Sequence, residues 1–157
     1  ITDEYVSRIS LQDLLFEITK SFEEISEKKI NLNTEKSIKK IPLLRTPEIT
    51  YGIRNFVGNA VKFSKSKVDI NLISNSTDVL IEVVDDGPGF PEDIIKLIGE
   101  PYISSKSKKL KSKSGLGLGT FIGKTLLERK KAEINFLNPI NKGAKVEILW
   151  KISDLKS

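Results

Sequence analysis

Val83-Val84-Asp85-Asp86-Gly87-Pro88-Gly89-Phe90 ends an apolar run at two carboxylates and a Gly-Pro-Gly turn. The run itself, Val79-Leu80-Ile81-Glu82-Val83-Val84, is rich in β-branched residues and reads as a mostly buried strand. A carboxylate at a strand end can accept a hydrogen bond from a ligand N–H. Glycines beside it let a flat ring approach the backbone, because no Cβ intervenes. Pro88 fixes its own φ and stiffens the turn. The stretch therefore suits the floor of a pocket for an aromatic base with an exocyclic amine, such as adenine. Asp-Gly and Pro-Gly are also ordinary turn formers, so alone it is equally a plain turn.

Just upstream, Val68 to Ser74 and Asp78 to Val84 read as two strands joined at Asn75-Ser76-Thr77. Before them, Thr46 and Pro47 are an N-cap and a first helical residue, and the spacing predicts a helix to about Phe63. Ile49, Ile53, Phe56, Val57, Ala60 and Val61 form its core face. Asn55, Asn59 and Lys62 follow at i, i+4 and i+7 and share a polar stripe. Asparagine is a poor mid-helix residue, so the stripe is either a site or a solvated face. Further upstream, Ser10 caps a predicted helix over 11–28 with an apolar stripe from Leu11 to Ile25. Residues 29–33 and the region near Ile41 read as short strands. Residues 1–9 are expected to be the tail of a preceding helix.

Downstream, Pro91 opens a short helix that Gly99 ends. Residues 104–114 hold five lysines and no acidic residue, and are expected to be a flexible lid. Gly115-Leu116-Gly117-Leu118-Gly119-Thr120 then runs into a helix to about Lys131, with Phe121, Ile122, Leu126 and Leu127 as its expected buried face. Glycines at a helix start expose unsatisfied amides, which together with the helix dipole favour an anion, usually phosphate. The P-loop pattern fails because Leu118 stands where its first glycine belongs. The dinucleotide fingerprint fails at Ile122. The element is thus a phosphate site of another geometry, or close helix packing. Two strands, Glu133 to Leu137 and Ala144 to Lys151, close the chain.

The totals agree with one soluble α/β domain: 157 residues, 38% hydrophobic, 30% charged. No run of about 18 apolar residues is present. Cysteine and histidine are absent, which excludes disulfides, thiol redox chemistry, a Ser-His-Asp triad and His-ligated metal within these residues. The net charge of +5 lies wholly in residues 104–114; elsewhere 21 basic residues meet 21 acidic ones. Nucleic acid is therefore not expected as a partner. Opening at Ile1, the chain is expected to be a fragment.

The three stretches together resemble the GHKL ATP-binding family, the Bergerat fold of histidine kinases, type II topoisomerases and mismatch-repair ATPases. Arg54-Asn55-Phe56-Val57-Gly58-Asn59-Ala60-Val61-Lys62-Phe63 looks like the N box, Asp85-Asp86-Gly87-Pro88-Gly89-Phe90 like the G1 box, and Gly115-Leu116-Gly117-Leu118-Gly119 like the G2 box. The resemblance implies a two-layer α/β sandwich, with a mixed, mostly antiparallel sheet packed on helices, over residues 10–157 and a lid at about 99–116. It implies ATP and Mg²⁺ as cofactors. Asn59 would coordinate Mg²⁺, Lys62 would meet phosphate, and Phe63 would pack near the adenine. Asp85 would take the adenine amine, with Gly87 and Gly89 shaping the pocket. Gly115, Gly117, Leu118, Gly119 and Thr120 would hold phosphates, with Tyr102 and Lys106 contributing from the lid. Asn55 stands where hydrolysing relatives carry a glutamate base. An amide cannot take a proton from water, so Asn55, Asn59 and Lys62 are expected to serve phosphoryl transfer rather than hydrolysis.

Arg45-Thr46-Pro47-Glu48, Gly99-Glu100-Pro101-Tyr102, Thr125-Leu126-Leu127-Glu128-Arg129, Gly143-Ala144 and Trp150 narrow the likeness to the RegB/PrrB class of redox-responsive sensor kinases. Thr120 departs from the usual aliphatic residue. That class carries its phosphoacceptor histidine and redox-active cysteine on preceding helices. The resemblance thus implies a helical dimerisation and phosphoacceptor domain, a cognate response regulator, and a membrane-anchored homodimeric parent with this part in the cytoplasm. GHKL ATPases and anti-sigma serine kinases are the nearest alternative class. A basic nucleic-acid module and a scaffold without chemistry are the more distant ones.

Overall fold

The run before Asp85 is the middle strand of a five-stranded sheet. The computed structural model describes residues 8–35, 38–98, 117–141 and 143–156. The expected lid at residues 99–116, with Tyr102, Lys106 and Gly115, lies outside the described residues. In chain order the elements are β1 (Arg8–Ser10), α1 (Leu11–Ile25), β2 (Lys29–Thr34), β3 (Pro42–Leu44), α2 (Pro47–Phe63), β4 (Lys67–Ser74), β5 (Asp78–Asp85), α3 (Glu92–Ile98), α4 (Gly117–Arg129), β6 (Glu133–Leu137) and β7 (Lys145–Lys151), then a 3₁₀ turn at Ile152–Lys156. The main sheet has the order β2-β4-β5-β7-β6. Among the described residues β2–β4 is the one parallel pair, so the sheet is mixed and mostly antiparallel, as expected.

Strand parity decides which face is which. Val79, Ile81 and Val83 are buried and line up with Leu72, Ile70, Trp150, Ile148 and Val146 across the ladder. This apolar face packs on the helices and forms the second layer of the sandwich. The opposite face carries a polar row: Asn33 donates to Asn71, Asn71 to Glu82, and Lys145 pairs with Glu82 at 2.7 Å. Parity has a consequence at the end of β5. Asp85 stands two residues after Val83, so its side chain enters the buried face, and Asp86 points the other way.

The helix starts follow their caps. Ser10 accepts from the Asp13 amide at 3.0 Å and Thr46 from the Ile49 amide at 3.3 Å. All six residues predicted for the core face of α2 are buried. Helix α1 stops at Ile25 rather than 28, because residues 26–28 must extend for β2 to pair with β4 from Lys29. Residues 8 and 9, expected as the end of a helix tail, instead belong to strand β1, paired antiparallel with β3. The Leu11 amide closes that corner on the Ile41 carbonyl at 2.7 Å. Residues 1–7 lie outside the described residues.

Helix α4 differs most from expectation. Its buried residues include Thr120, Gly123 and Leu127, whereas Ile122 is 43% exposed. The cause is side-on packing against α2 through small residues. A Cβ on Gly52 would lie 2.5 Å from Leu127 Cγ, and one on Gly123 would lie 3.2 Å from Asn55 Cβ. The contact with α2, rather than the sheet alone, sets which face is covered.

Candidate functional site

Asp85 Oδ1 accepts from the Gly87 amide at 2.8 Å and from the Ala144 amide at 3.3 Å. The Asp85 amide in turn donates to the Ala144 carbonyl at 3.0 Å. Oδ1 is thereby saturated. Oδ2 has no partner among the described residues and is left to accept from a ligand. Burial pushes the Asp85 carboxyl above the usual carboxylate range, against the two amides, which pull it down.

Asp85 lines a pocket of about 190 Å³ with Asn59, Phe63, Gly89, Phe90 and Thr120, closed by Phe56, Ala60, Val83, Ala144 and Val146 among others. Among the described residues that line it, the polar side chains are Asp85, Asn59 and Thr120. Sites that bury a whole drug-sized ligand run to about 300–1,000 Å³. At about 190 Å³ this one is of a size for a single ring system rather than for a whole drug-sized ligand. Phe136 supports the pocket from behind, edge-on to Phe56 at 5.8 Å and to Phe90 at 5.7 Å.

The glycine-rich stretch meets α2 at the pocket mouth. Asn59 Nδ2 donates to Thr120 Oγ1 at 3.1 Å, which leaves Asn59 Oδ1 as the outward oxygen. Helix α4 begins at Gly117, so Gly117 and Gly119 lie in its first turn. Amides at the start of a helix, here those of Gly117, Leu118 and Gly119, have no acceptor one turn back within the helix. Asn55 packs against Gly123 and Lys62 is exposed over the Phe63 ring at 5.3 Å; neither lines the pocket. Gly87 does not line it either. A Cβ there would lie 2.2 Å from the Phe63 carbonyl oxygen, so its role is to let the turn sit against the end of α2.

Two residues, Asn138 and Gly143, have roles in this site that the sequence does not announce. Asn138 brackets the Phe90 backbone: its Oδ1 accepts from the amide at 2.7 Å and its Nδ2 donates to the carbonyl at 2.6 Å. Gly143 has φ +83°, and a Cβ there would lie 1.8 Å from the Asp85 carbonyl oxygen. Positive φ is the one backbone signal glycine carries, but sequence does not say where it will be needed.

Asp86 does separate work. It takes the amides of Lys65, Ser66 and Lys67 and the Ser66 hydroxyl, at 2.7 to 3.2 Å. Burial pulls its carboxyl up, but the Ser66 hydroxyl and the amides outweigh it and hold the group well below the usual range. A depressed carboxyl stabilises the fold above its unfolded pKa, about 3.9, and loses that contribution as pH falls through the folded value. Asp86→Asn is therefore expected to cost roughly 1–2 kcal/mol at pH 7 after solvent screening. In urea titrations the gap to the native chain should shrink below about pH 4. A gap independent of pH would mean that charge plays no part.

The sequence pattern of the histidine kinase-, DNA gyrase B- and HSP90-like ATPase family matches residues 46–154, and the chain belongs to that family. Sensor histidine kinase RegB of Cereibacter sphaeroides is 39% identical over 129 residues, covering 72% of this chain and 28% of that protein. Sensor protein KdpD of Clostridium acetobutylicum is 35% identical over 94 residues, covering 59% of this chain and 10% of that protein. The catalytic domain of histidine kinase ThkA superposes with a TM-score of 0.71 at 22% identity, covering 92% and 95% of the two chains. Full-length ShkA in complex with AMPPNP does so with a TM-score of 0.71 at 20% identity, covering 91% of this chain and 30% of that one. Within the family, then, this is an ATP-binding catalytic domain of the sensor histidine kinase type, spanning 28% of the length of RegB and 10% of that of KdpD.

Proposed function

We propose that the domain takes ATP with the adenine amine on Asp85 Oδ2, and presents the γ-phosphate to a histidine on a neighbouring helical domain of the same kinase. A cognate response regulator then accepts the phosphoryl group. The observation that carries this reading is that Asp85, Asn59 and Thr120, one from each of three distant stretches, line one pocket. Phe63 packs beside the base. Gly89, at φ +88° and packed on Asn138 and Gly143, lines the wall with its backbone. The amides of Gly117, Leu118 and Gly119 receive phosphate at the mouth, with Lys62 as an exposed cation outside. The ShkA complex with AMPPNP supports a nucleotide in this fold.

The residues present fit Mg²⁺. Asn59 Oδ1 is a hard oxygen freed by the bond from Nδ2 to Thr120. Among the described residues no cluster of three carboxylates or other ligating side chains competes as a cage. Mg²⁺ keeps most of its shell from water and phosphate, so one protein oxygen suffices. When bound, it supplies neutralisation of phosphate charge. What the chain itself supplies is orientation: the pocket fixes the base, α4 fixes the phosphates, and Asn55 offers no base to activate water.

We further propose a membrane-anchored homodimeric parent with this portion on the cytoplasmic side of the inner membrane. No helix among the described residues is long and apolar enough to cross a membrane.

Titration calorimetry tests the reading. ATP with Mg²⁺ is expected to bind in the micromolar to millimolar range, about −4 to −8 kcal/mol. Chelating the metal should weaken ATP about tenfold, some 1.4 kcal/mol, and leave adenosine unchanged. Equal sensitivity of adenosine would remove Asn59 from the metal.

A further inference from the structure

Lys28 lies between α1 and β2, outside all three nucleotide stretches. Its ammonium donates to the carbonyls of Val61 at 2.7 Å, Lys62 at 3.2 Å and Ser64 at 2.7 Å. Three donors thus meet three acceptors at the carbonyl end of α2, where helix groups are unsatisfied and the dipole is negative. Phe63 is the one residue of 61–64 whose carbonyl Lys28 does not take. That carbonyl is the one against which Gly87 packs. Gly87 in turn holds Asp85 Oδ1 through its amide at 2.8 Å.

The loop after α2 is gripped from both sides. Lys28 holds its carbonyls and Asp86 holds its amides. The end of α2 therefore sits at a fixed height relative to the turn that carries Asp85. Without the Lys28 tripod, the Phe63 carbonyl is free to move against Gly87.

Resting on the reading that Asp85 takes the adenine amine, we propose that Lys28 is a positioning residue for base selection. By fixing the Phe63 carbonyl it fixes the Gly87 turn, and so aims Asp85 Oδ2 at a 6-amino purine and against a 6-oxo purine. An amine donates to the carboxylate, whereas a 6-oxo group sets one acceptor against another. The Lys28 charge also favours the ionised form of Asp85, in opposition to its burial.

The test is the ratio of ITP to ATP dissociation constants, measured calorimetrically with Mg²⁺ well below each variant's melting midpoint. The native chain should prefer ATP. Lys28→Met should lower that preference about tenfold, a loss of about 1.4 kcal/mol, mainly by weakening ATP. Lys28→Gln, which loses the charge and has too few donors for all three carbonyls, should lower the preference in the same direction by less, and serves should the methionine variant fail to fold. A lone helix cap would shift the melting midpoint and leave the ratio native, and that result overturns the proposal. A native chain without preference for ATP overturns the adenine reading itself, and this inference with it.

Discussion

Asp85→Asn is expected to weaken ATP by about 100-fold or more, on the order of 3 kcal/mol, without loss of stability in the nucleotide-free domain. The substitution keeps the fold's own use of the side chain. An asparagine Oδ1 can still accept from the amides of Gly87 and Ala144. What changes is the second atom, where an acceptor becomes an N–H donor. Set against an exocyclic amine, two donors meet, and neither is paired.

The stability half of this prediction follows from the sign of the pKa shift. A carboxyl pushed up by burial contributes stability below its unfolded value and loses it as pH rises through the folded one. At neutral pH the ionised Asp85 is a cost that the fold carries for its ligand. A neutral amide removes the cost, so the melting midpoint should hold or rise. A variant that melts earlier and binds poorly would point to a structural aspartate. One that binds ATP normally would remove Asp85 from the adenine site.

Most of the fold is legible in the sequence because it rests on local rules. Thr46-Pro47 sets where α2 begins, and the alternation from Val79 to Asp85 sets which carboxylate enters the core. The pairing of Asn59 with the glycine-rich stretch followed from assembling three motifs around one ligand, and the two do meet at Thr120. What stayed hidden depends on contacts between distant backbones. Nothing near Lys28 announces that its ammonium will cap a helix 33 residues away. Nothing near Asn138 announces its bracket on Phe90. The face of α4 was misjudged for a related reason. Hydrophobic periodicity assumes a core of large side chains, and here two glycines let a neighbouring helix take that place. Asp86 was legible in principle, since parity alone separates it from Asp85.

Two glycine substitutions separate residues kept for the fold from those kept for a ligand. Gly143→Ala is expected to cost roughly 3 kcal/mol or more and to take nucleotide binding with it. Its φ of +83° is strained for any residue with a Cβ, and that Cβ would fall 1.8 Å from the Asp85 carbonyl oxygen. Backbone must therefore move, and the backbone that moves carries the adenine acceptor. Gly119→Ala is the opposite case. In the first turn of α4, its Cβ would meet Asn59 Oδ1 at 3.8 Å, an ordinary contact. Alanine should gain up to about 1 kcal/mol from helix propensity. The added methyl, however, stands between the helix amides and the Asn59 oxygen, where phosphate is proposed to lie. Chemical denaturation should thus show Gly119→Ala at or above native stability, while ATP weakens and adenosine does not. Were adenosine to weaken equally, the glycine would belong to the base pocket and the phosphates would have to lie elsewhere.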